Sequence, residues 1–309
     1  MSQVTANGRA RPSGVTLAGR ARRRSFLSRH GSDLVLLLPA LLVLATFVLL
    51  PILSLLPISL TNWSIIGAPQ WVGSRNFQRL LSDSVFLTTV RNTLVYSAIL
   101  VPSITAASLG VALVLNTNLR AMNVLRALFL IPLIAGIVIT SNIWKGLLTT
   151  FGPVNQVLGA LGFETINFFG VNTAVLAVSA TLIWRNFGYY ALFYLAGLRS
   201  IEPSIIDAAA IDGARGWTLF RFITWPLLLP ITLLVVILNT IGSFEIFTAV
   251  YILTGGGPAN ASLPILNYIY DTGWRSFQMG YAAAQALVFF LILFALSALQ
   301  RRLIRGERT

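Results

Sequence analysis

The sequence predicts an all-α membrane protein with six transmembrane helices, and three observations carry that prediction. Of 309 residues, 56% are apolar and only 10% are charged, too few charges to coat a soluble protein of this length. The apolar residues fall in separate blocks of about twenty or more, the length a helix needs to cross ~30 Å of hydrocarbon. The basic residues, behind a net charge of +13, stand at the ends of those blocks rather than along one face. That placement follows the bias of Arg and Lys toward the cytoplasmic side of a membrane. It points to membrane lipid as a partner and away from nucleic acid.

Taken in order, residues 1–32 are polar, small and Arg-rich, with Arg9, Arg11, Arg20, the run Arg22-Arg23-Arg24, and Arg29. Such a stretch cannot bury a core and is expected to be a disordered tail. The apolar block from Leu34 to Leu60 follows. A signal peptide also places basic residues before an apolar run, but that run is usually about 7–15 residues long. The longer block is read as a retained first helix. Further blocks lie near 93–115, 124–147, 171–198, 222–250 and 280–300, so the six-helix domain spans 33–303 and a basic tail occupies 304–309. The third block contains Pro132, and the fifth contains Pro226 and Pro230. Membrane helices tolerate proline where neighbours re-satisfy the freed backbone groups.

Orientation follows from the connections. With the N-terminus inside, the cytoplasmic pieces are 1–32, 116–123 with flanking Arg126, 199–221 and the C-terminal tail, which together hold about 16 of the 22 basic residues. The outer loops hold four: Arg75, Arg79, Arg91 and Arg275. Both termini are therefore expected in the cytoplasm. Lys145 is expected to snorkel from the outer end of helix three. Arg185 lies deep in helix four, where a charge must face protein or water; a structural partner is the first expectation and a transport role the second. Cysteine is absent, and the single His30 lies in the tail, so disulfides, thiolate chemistry and a metal site are not expected.

The most informative stretch is the connection between helices four and five. Pro203 suits a first helical turn, with Ser200 or Glu202 as possible cap. Nothing breaks a helix from Ser204 to Asp212, and Gly213 suits a left-handed stop. The result is a short helix of two to three turns, then a return into the membrane. Asp207-Ala208-Ala209-Ala210 gives it a low surface that another protein can approach, with Asp207 and Asp212 as acceptors. The residues alone fit equally a docking helix and a solvated loop helix.

Here the sequence resembles a known family. Asp207-Ala208-Ala209 followed by Asp212-Gly213-Ala214, then Phe220, Ile223, Pro226 and Pro230, is similar to the "EAA" loop of the permease subunits of binding-protein-dependent ABC importers. Asn92-Thr93-Leu94, Arg126 with Pro132, and Gly152 with Asn155 fit the carbohydrate branch. Leu253-Thr254-Gly255-Gly256-Gly257-Pro258 resembles the first of the two permease types in sugar and glycerol-phosphate importers. Two positions depart: the family usually has Glu where Asp207 stands, and Pro directly after Ile201, where Glu202 stands. Asp keeps the carboxylate on a shorter stem, and Pro203 keeps a helix start one residue later.

The resemblance implies the type I ABC importer permease fold and a bacterial cytoplasmic membrane. It implies a heterodimer with a second permease, two cytoplasmic ATPase subunits holding ATP and Mg²⁺, and an extracytoplasmic solute-binding protein. The solute would be a sugar or related polyol or glycerol-phosphate. Glu202, Asp207, Ala208, Ala209, Asp212, Gly213 and Ala214 would then couple the permease to the ATPase. This chain has no Gly-x-x-x-x-Gly-Lys-Ser/Thr phosphate loop of its own. It is therefore expected to be no enzyme and to carry no cofactor.

Polar residues inside helices are the candidates for a solute path. Helix five offers Asn239 and Ser243 on one face, with Glu245 near its outer end. Helix four offers Trp184, Asn186 and Tyr189, with Tyr190 beside it. Interhelical hydrogen bonding is the competing role for each. An ion-coupled secondary transporter is the rival function, but it would keep ionisable residues at the midplane and show repeated halves. Here the acids cluster at segment ends and in the cytoplasmic loop.

Overall fold

In the computed structural model, residues 36–117 and 122–305 are described, and within them every regular element is a helix. The expected tail at 1–32 and residues 306–309 lie outside the described residues. The chain divides between Ile52 and Leu53 into two units, each described by itself. The first contributes the beginning of α1 (Leu36–Ser59), which is apolar all round and exposed from Leu36 to Ile52. A helix with no polar face suits a lipid surrounding.

In the second unit, α2 (Arg75–Ser82) precedes the long α3 (Ser84–Leu115), then come α4 (Met122–Ile134), α5 (Ile137–Leu147) and the short α6 (Pro153–Ala160). The central α7 (Ala174–Ser200) leads through α8 (Pro203–Ile211) into α9 (Gly216–Phe244). The chain ends with α10 (Phe247–Leu253), α11 (Ile265–Tyr270) with a π turn over Asp271–Arg275, and α12 (Met279–Arg305). Helices α1, α3, α9 and α12 are each long and apolar enough to span a membrane. At 27 residues α7 is also long enough, since ~1.5 Å per residue gives about 40 Å. It is less apolar because α3, α4 and α9 pack on it, so much of its surface faces protein.

Three expected spans differ from the sequence reading. The block 93–115 starts earlier, at Ser84, where Asp83 caps the helix, so Arg91 lies within α3 rather than in a loop. The block 124–147 is not one straight helix: α4 and α5 meet at a bend of 98°. Pro132 removes a backbone donor there, and Gly136 takes a φ of 73° that other residues avoid. The block 222–250 starts earlier, at Gly216, and breaks at Glu245–Ile246 before α10 resumes. Within α9 a π turn over Phe220–Thr224 widens the helix just ahead of Pro226, which has no N–H to donate.

The core lies between α3, α7 and α9. Along α3 the buried residues Thr93, Ser97, Leu100, Ile104, Ser108, Ala112 and Leu115 recur every three or four positions, forming one stripe. Ser108 donates its hydroxyl to the Phe187 carbonyl of α7 at 2.9 Å. On the other side of α7, Gly188 lies against the Phe129 carbonyl of α4 so closely that a Cβ would fall on it. Small residues at such crossings let membrane helices approach without a hydrophobic driving force.

Candidate functional site

Helix α8 is covalently held between α7 and α9. Pro203 occupies its first turn, as the sequence indicates, and Glu202 sits at the cap position with extended backbone. Neither expected side-chain cap forms: Glu202 makes no cap bond, and the Ser200 hydroxyl donates back to the Gly197 carbonyl at 2.8 Å. The other end closes as a Schellman turn. Ala214 N–H donates to Ala209 C=O at 2.9 Å, Gly213 N–H to Ala210 C=O at 3.2 Å, and Gly213 takes a φ of +83°. Asp207, Ala208, Ala210, Ile211 and Asp212 are exposed, with Ile211 at 87%. Ala209 is buried, so the low outer surface belongs to Ala208 and Ala210 rather than to all three alanines.

A cavity of about 260 Å³ lies between α3, α7 and α9, with α10 and the start of α5 closing it. Its polar lining is Arg185, Asn186 and Tyr190 from α7, Asn239 and Ser243 from α9, Glu245 at the helix break and Thr248 from α10. The break is what gives Glu245 this position: residues Glu245 and Ile246 leave the helix, so Glu245 sits at the cavity edge rather than on a continuous helix. Asn239 donates to the Val101 carbonyl of α3 at 3.3 Å, and Ser243 to the Thr240 carbonyl at 2.7 Å. Arg185 Nη1 donates to Asn186 Oδ1 at 3.0 Å, while Arg185 Nε is buried without a hydrogen-bond partner. Two expected path residues do not line this cavity. Trp184 packs edge-on against Trp144, and Tyr189 against Tyr190 and Phe193.

Where α3 begins, a set of hydrogen bonds fixes the Gly-rich loop after α10. Asn92 Nδ2 donates to the carbonyls of Asn260 (2.9 Å) and Leu263 (3.0 Å). Thr93 Oγ1 accepts from Ile265 N–H at 2.9 Å, and Tyr96 donates to the Ser262 carbonyl at 3.1 Å. Asp83 caps α3 through the N–H groups of Val85 and Phe86. Its other oxygen accepts from Tyr268 at 2.8 Å and Tyr281 at 2.6 Å. Burial pushes the Asp83 carboxyl up, but the donors Tyr281, Phe86, Tyr268 and Val85 together outweigh that and hold it below its ordinary value of 3.8. Burial, and then the Asp83 carboxylate, push the Tyr268 hydroxyl up to about 12. Arg79 completes the group, lying 3.9 Å over the Tyr281 ring. Lys145 does not simply reach for water: its Nζ donates to the Ile252 carbonyl at 2.8 Å, at the C-terminal end of α10 where a cation is favoured.

A family model of the "binding-protein-dependent transport system inner membrane component" matches residues 12–309. The chain belongs to this family. The permease is 35% identical over 269 residues to the lactose transport system permease protein LacF of Rhizobium radiobacter, covering 85% of this chain and 90% of that one. It is 35% identical over 266 residues to the trehalose/maltose transport system permease protein MalF of Thermococcus litoralis, covering 84% and 89%. Among solved structures, a chain of a bacterial ABC transporter that imports the acidic polysaccharide alginate superimposes with a TM-score of 0.81. That match covers 91% of the permease and 97% of the other chain at 21% identity, which shows a shared fold. The permease is thus a multi-pass protein of the inner membrane and the membrane component of an ABC importer, a component without its own ATPase site.

Of the six path residues expected from the sequence, the structure brings Asn186, Asn239, Ser243 and Glu245 to one cavity and leaves Trp184 and Tyr189 outside it. Sequence reasoning missed the Asp83 group altogether. The signal available was an Asp directly before the Ser84 helix start, a standard cap arrangement. Its tyrosine partners lie nearly 200 positions along the chain and could not be paired with it from local pattern.

Proposed function

We propose that the permease forms half of the translocation path for a sugar or related polyol or glycerol-phosphate solute. In this reading α8 docks on a separate cytoplasmic ATPase subunit. A second, different permease forms the other half of the path, two ATPase subunits drive it, and an extracytoplasmic binding protein delivers the solute. Both chain ends lie in the cytoplasm with α8, a placement that the distribution of basic residues supports. The solute class draws on the relatives, which carry lactose and trehalose/maltose names, and on a relative named for sn-glycerol-3-phosphate.

The observation that carries the proposal is the position of α8 between α7 and α9, the two helices that supply five of the cavity's seven polar side chains. Rigid-body motion imposed on α8 therefore displaces both walls at once, and packed helices respond to such motion by discrete shifts rather than by bending. Exposed Asp207, Ala208 and Asp212 form the docking face, while Gly213 and Ala214 shape the turn that holds it. Asn186, Asn239, Ser243 and Glu245 meet the solute. At about 260 Å³ the cavity lies just below the ~300–1,000 Å³ usual for small-molecule sites, which suits one half of a shared path.

Ala208→Glu tests the coupling. A large charged side chain on the exposed face leaves folding intact but blocks close approach, so the variant inserts normally while uptake and solute-stimulated ATP hydrolysis are lost. Ala209→Glu is a poorer probe, because it would bury a carboxylate inside the permease itself. Normal uptake by Ala208→Glu refutes the docking role.

A further inference from the structure

The polar groups of the cavity are not interchangeable. The Asn186 and Asn239 amides and the Ser243 hydroxyl spend protons on protein carbonyls, those of Leu182 (2.9 Å), Val101 (3.3 Å) and Thr240 (2.7 Å). What the α9 side still offers is mainly oxygen lone pairs, those of the Asn239 and Ser243 side chains, with one remaining amide N–H of Asn239. The α7 side offers donors: the guanidinium of Arg185, of whose five N–H groups one is matched to a protein acceptor among the described residues, and the Tyr190 hydroxyl. Hydroxyl groups of a solute satisfy the acceptor wall. The donor wall asks for something else, because a guanidinium cannot give up its charge.

Among the described residues no carboxylate lies within ion-pair distance of Arg185. Glu245 lines the same cavity but is exposed, where water screens it. Arg185 is half-buried, and its Nε is fully shielded without a partner. A charge placed this deep in a membrane helix must face protein or water, and Arg185 lines the cavity, where a solute's counter-charge can reach it. We propose that the cavity selects an acidic polyol, a sugar or glycerol derivative bearing one carboxylate, sulfonate or phosphate, with Arg185 receiving the anionic group and Asn239 and Ser243 accepting from its hydroxyls. Arg is suited to this role because its planar fork meets two oxygens of such a group at once. The inference rests on the solute-path reading and adds to it the chemical class of the solute.

The test is uptake by cells carrying the complete importer, with five labelled probes: glycerol 3-phosphate, glucuronate, sulfoquinovosyl glycerol, lactose and trehalose. Each variant is compared with wild type for the same probe, which cancels the binding protein's own selectivity. Wild type is expected to take up at least one acidic probe. Arg185→Gln raises the KM for that probe about tenfold or more, since a hydrogen bond to a charged group is worth over a factor of ten. Any neutral probe that enters is unaffected, and Arg185→Lys restores part of the loss. Uptake confined to lactose or trehalose, or an Arg185→Gln KM equal to wild type, overturns the inference and leaves the path reading standing. Uptake of none of the five likewise overturns the inference, whereas full uptake by Asn239→Leu overturns the path reading itself. Should Arg185→Gln fail to reach the membrane, Arg185→Lys decides: its charge persists but its fork is lost, so an unchanged KM for the acidic probe refutes the proposal.

Discussion

Replacing Asn92 by alanine should detach the Gly-rich loop from the start of α3. The side-chain amide donates two hydrogen bonds across 168 and 171 residues of chain, to the carbonyls of Asn260 and Leu263. Asn260 is exposed, so water replaces the lost bond there, and the net cost is about 0.5–1.5 kcal/mol. Leu263 is buried, and its carbonyl loses the Asn92 amide with no water to replace it, at about 1–3 kcal/mol. The sum is about 2–4 kcal/mol, and for a chain of this size each kcal/mol shifts the midpoint by about 2–4 °C. Thermal unfolding of the detergent-purified protein, followed by tryptophan fluorescence, should thus show Tm lowered by about 4–16 °C. The control is Asn142→Ala. Asn142 is exposed and bonds only within its own helix, to Val138 at 2.9 Å, so its loss should move Tm by no more than about 1–2 °C. Equal Tm values for Asn92→Ala and wild type would refute the clamp.

The Asp83 group gives a pH signature. A carboxyl held below its ordinary value of 3.8 adds stability that is present above that value and lost as pH falls through its folded value. Asp83→Asn should therefore melt below wild type by a constant margin between pH 7 and pH 5, and the margin should close below about pH 4 when both proteins are scanned together. Gly188→Ala should place a methyl on the Phe129 carbonyl and force α4 away from α7. Overpacking of this kind costs about 1–3 kcal/mol, readable as a lower Tm and a lower monodisperse yield on size exclusion.

The membrane class, the positions of α1, α7 and α12 and the apolar part of α3 were legible in the sequence because each depends on a local run of apolar residues; the first turns of α3, polar and capped by Asp83, were not. The bend between α4 and α5 was not, since Pro132 alone is compatible with a straight membrane helix and the decisive feature is the backbone of Gly136. The break after Phe244 was hidden for a related reason: Glu245 and Ile246 stand between two apolar runs that read as one. In the short helix, Pro203 and Gly213 announced its ends correctly, yet only three dimensions separate exposed Ala208 from buried Ala209. The resemblance residues Asn92 and Asn155 gain a physical role. Asn155 joins the Thr149 and Ile166 carbonyls and the Ile166 amide, pinning the loop after α6 as Asn92 pins the loop after α10. Arg185, read first as a structural cation, has a protein partner in Asn186 and also a shielded Nε and a place in the cavity lining.

The account turns on α8 being the point where an ATPase subunit grips the permease. Because the chain has no cysteine, Ala208→Cys creates a single thiol. A maleimide–succinimide cross-linker applied to the assembled importer should join that thiol to a lysine of the ATPase subunit, giving one heavier band that contains both proteins. A cysteine placed at Gly159, in the α6 turn, should give none. If Ala208→Cys is labelled freely by maleimide in the intact complex and never cross-links to the ATPase, α8 does not dock there and the coupling account fails.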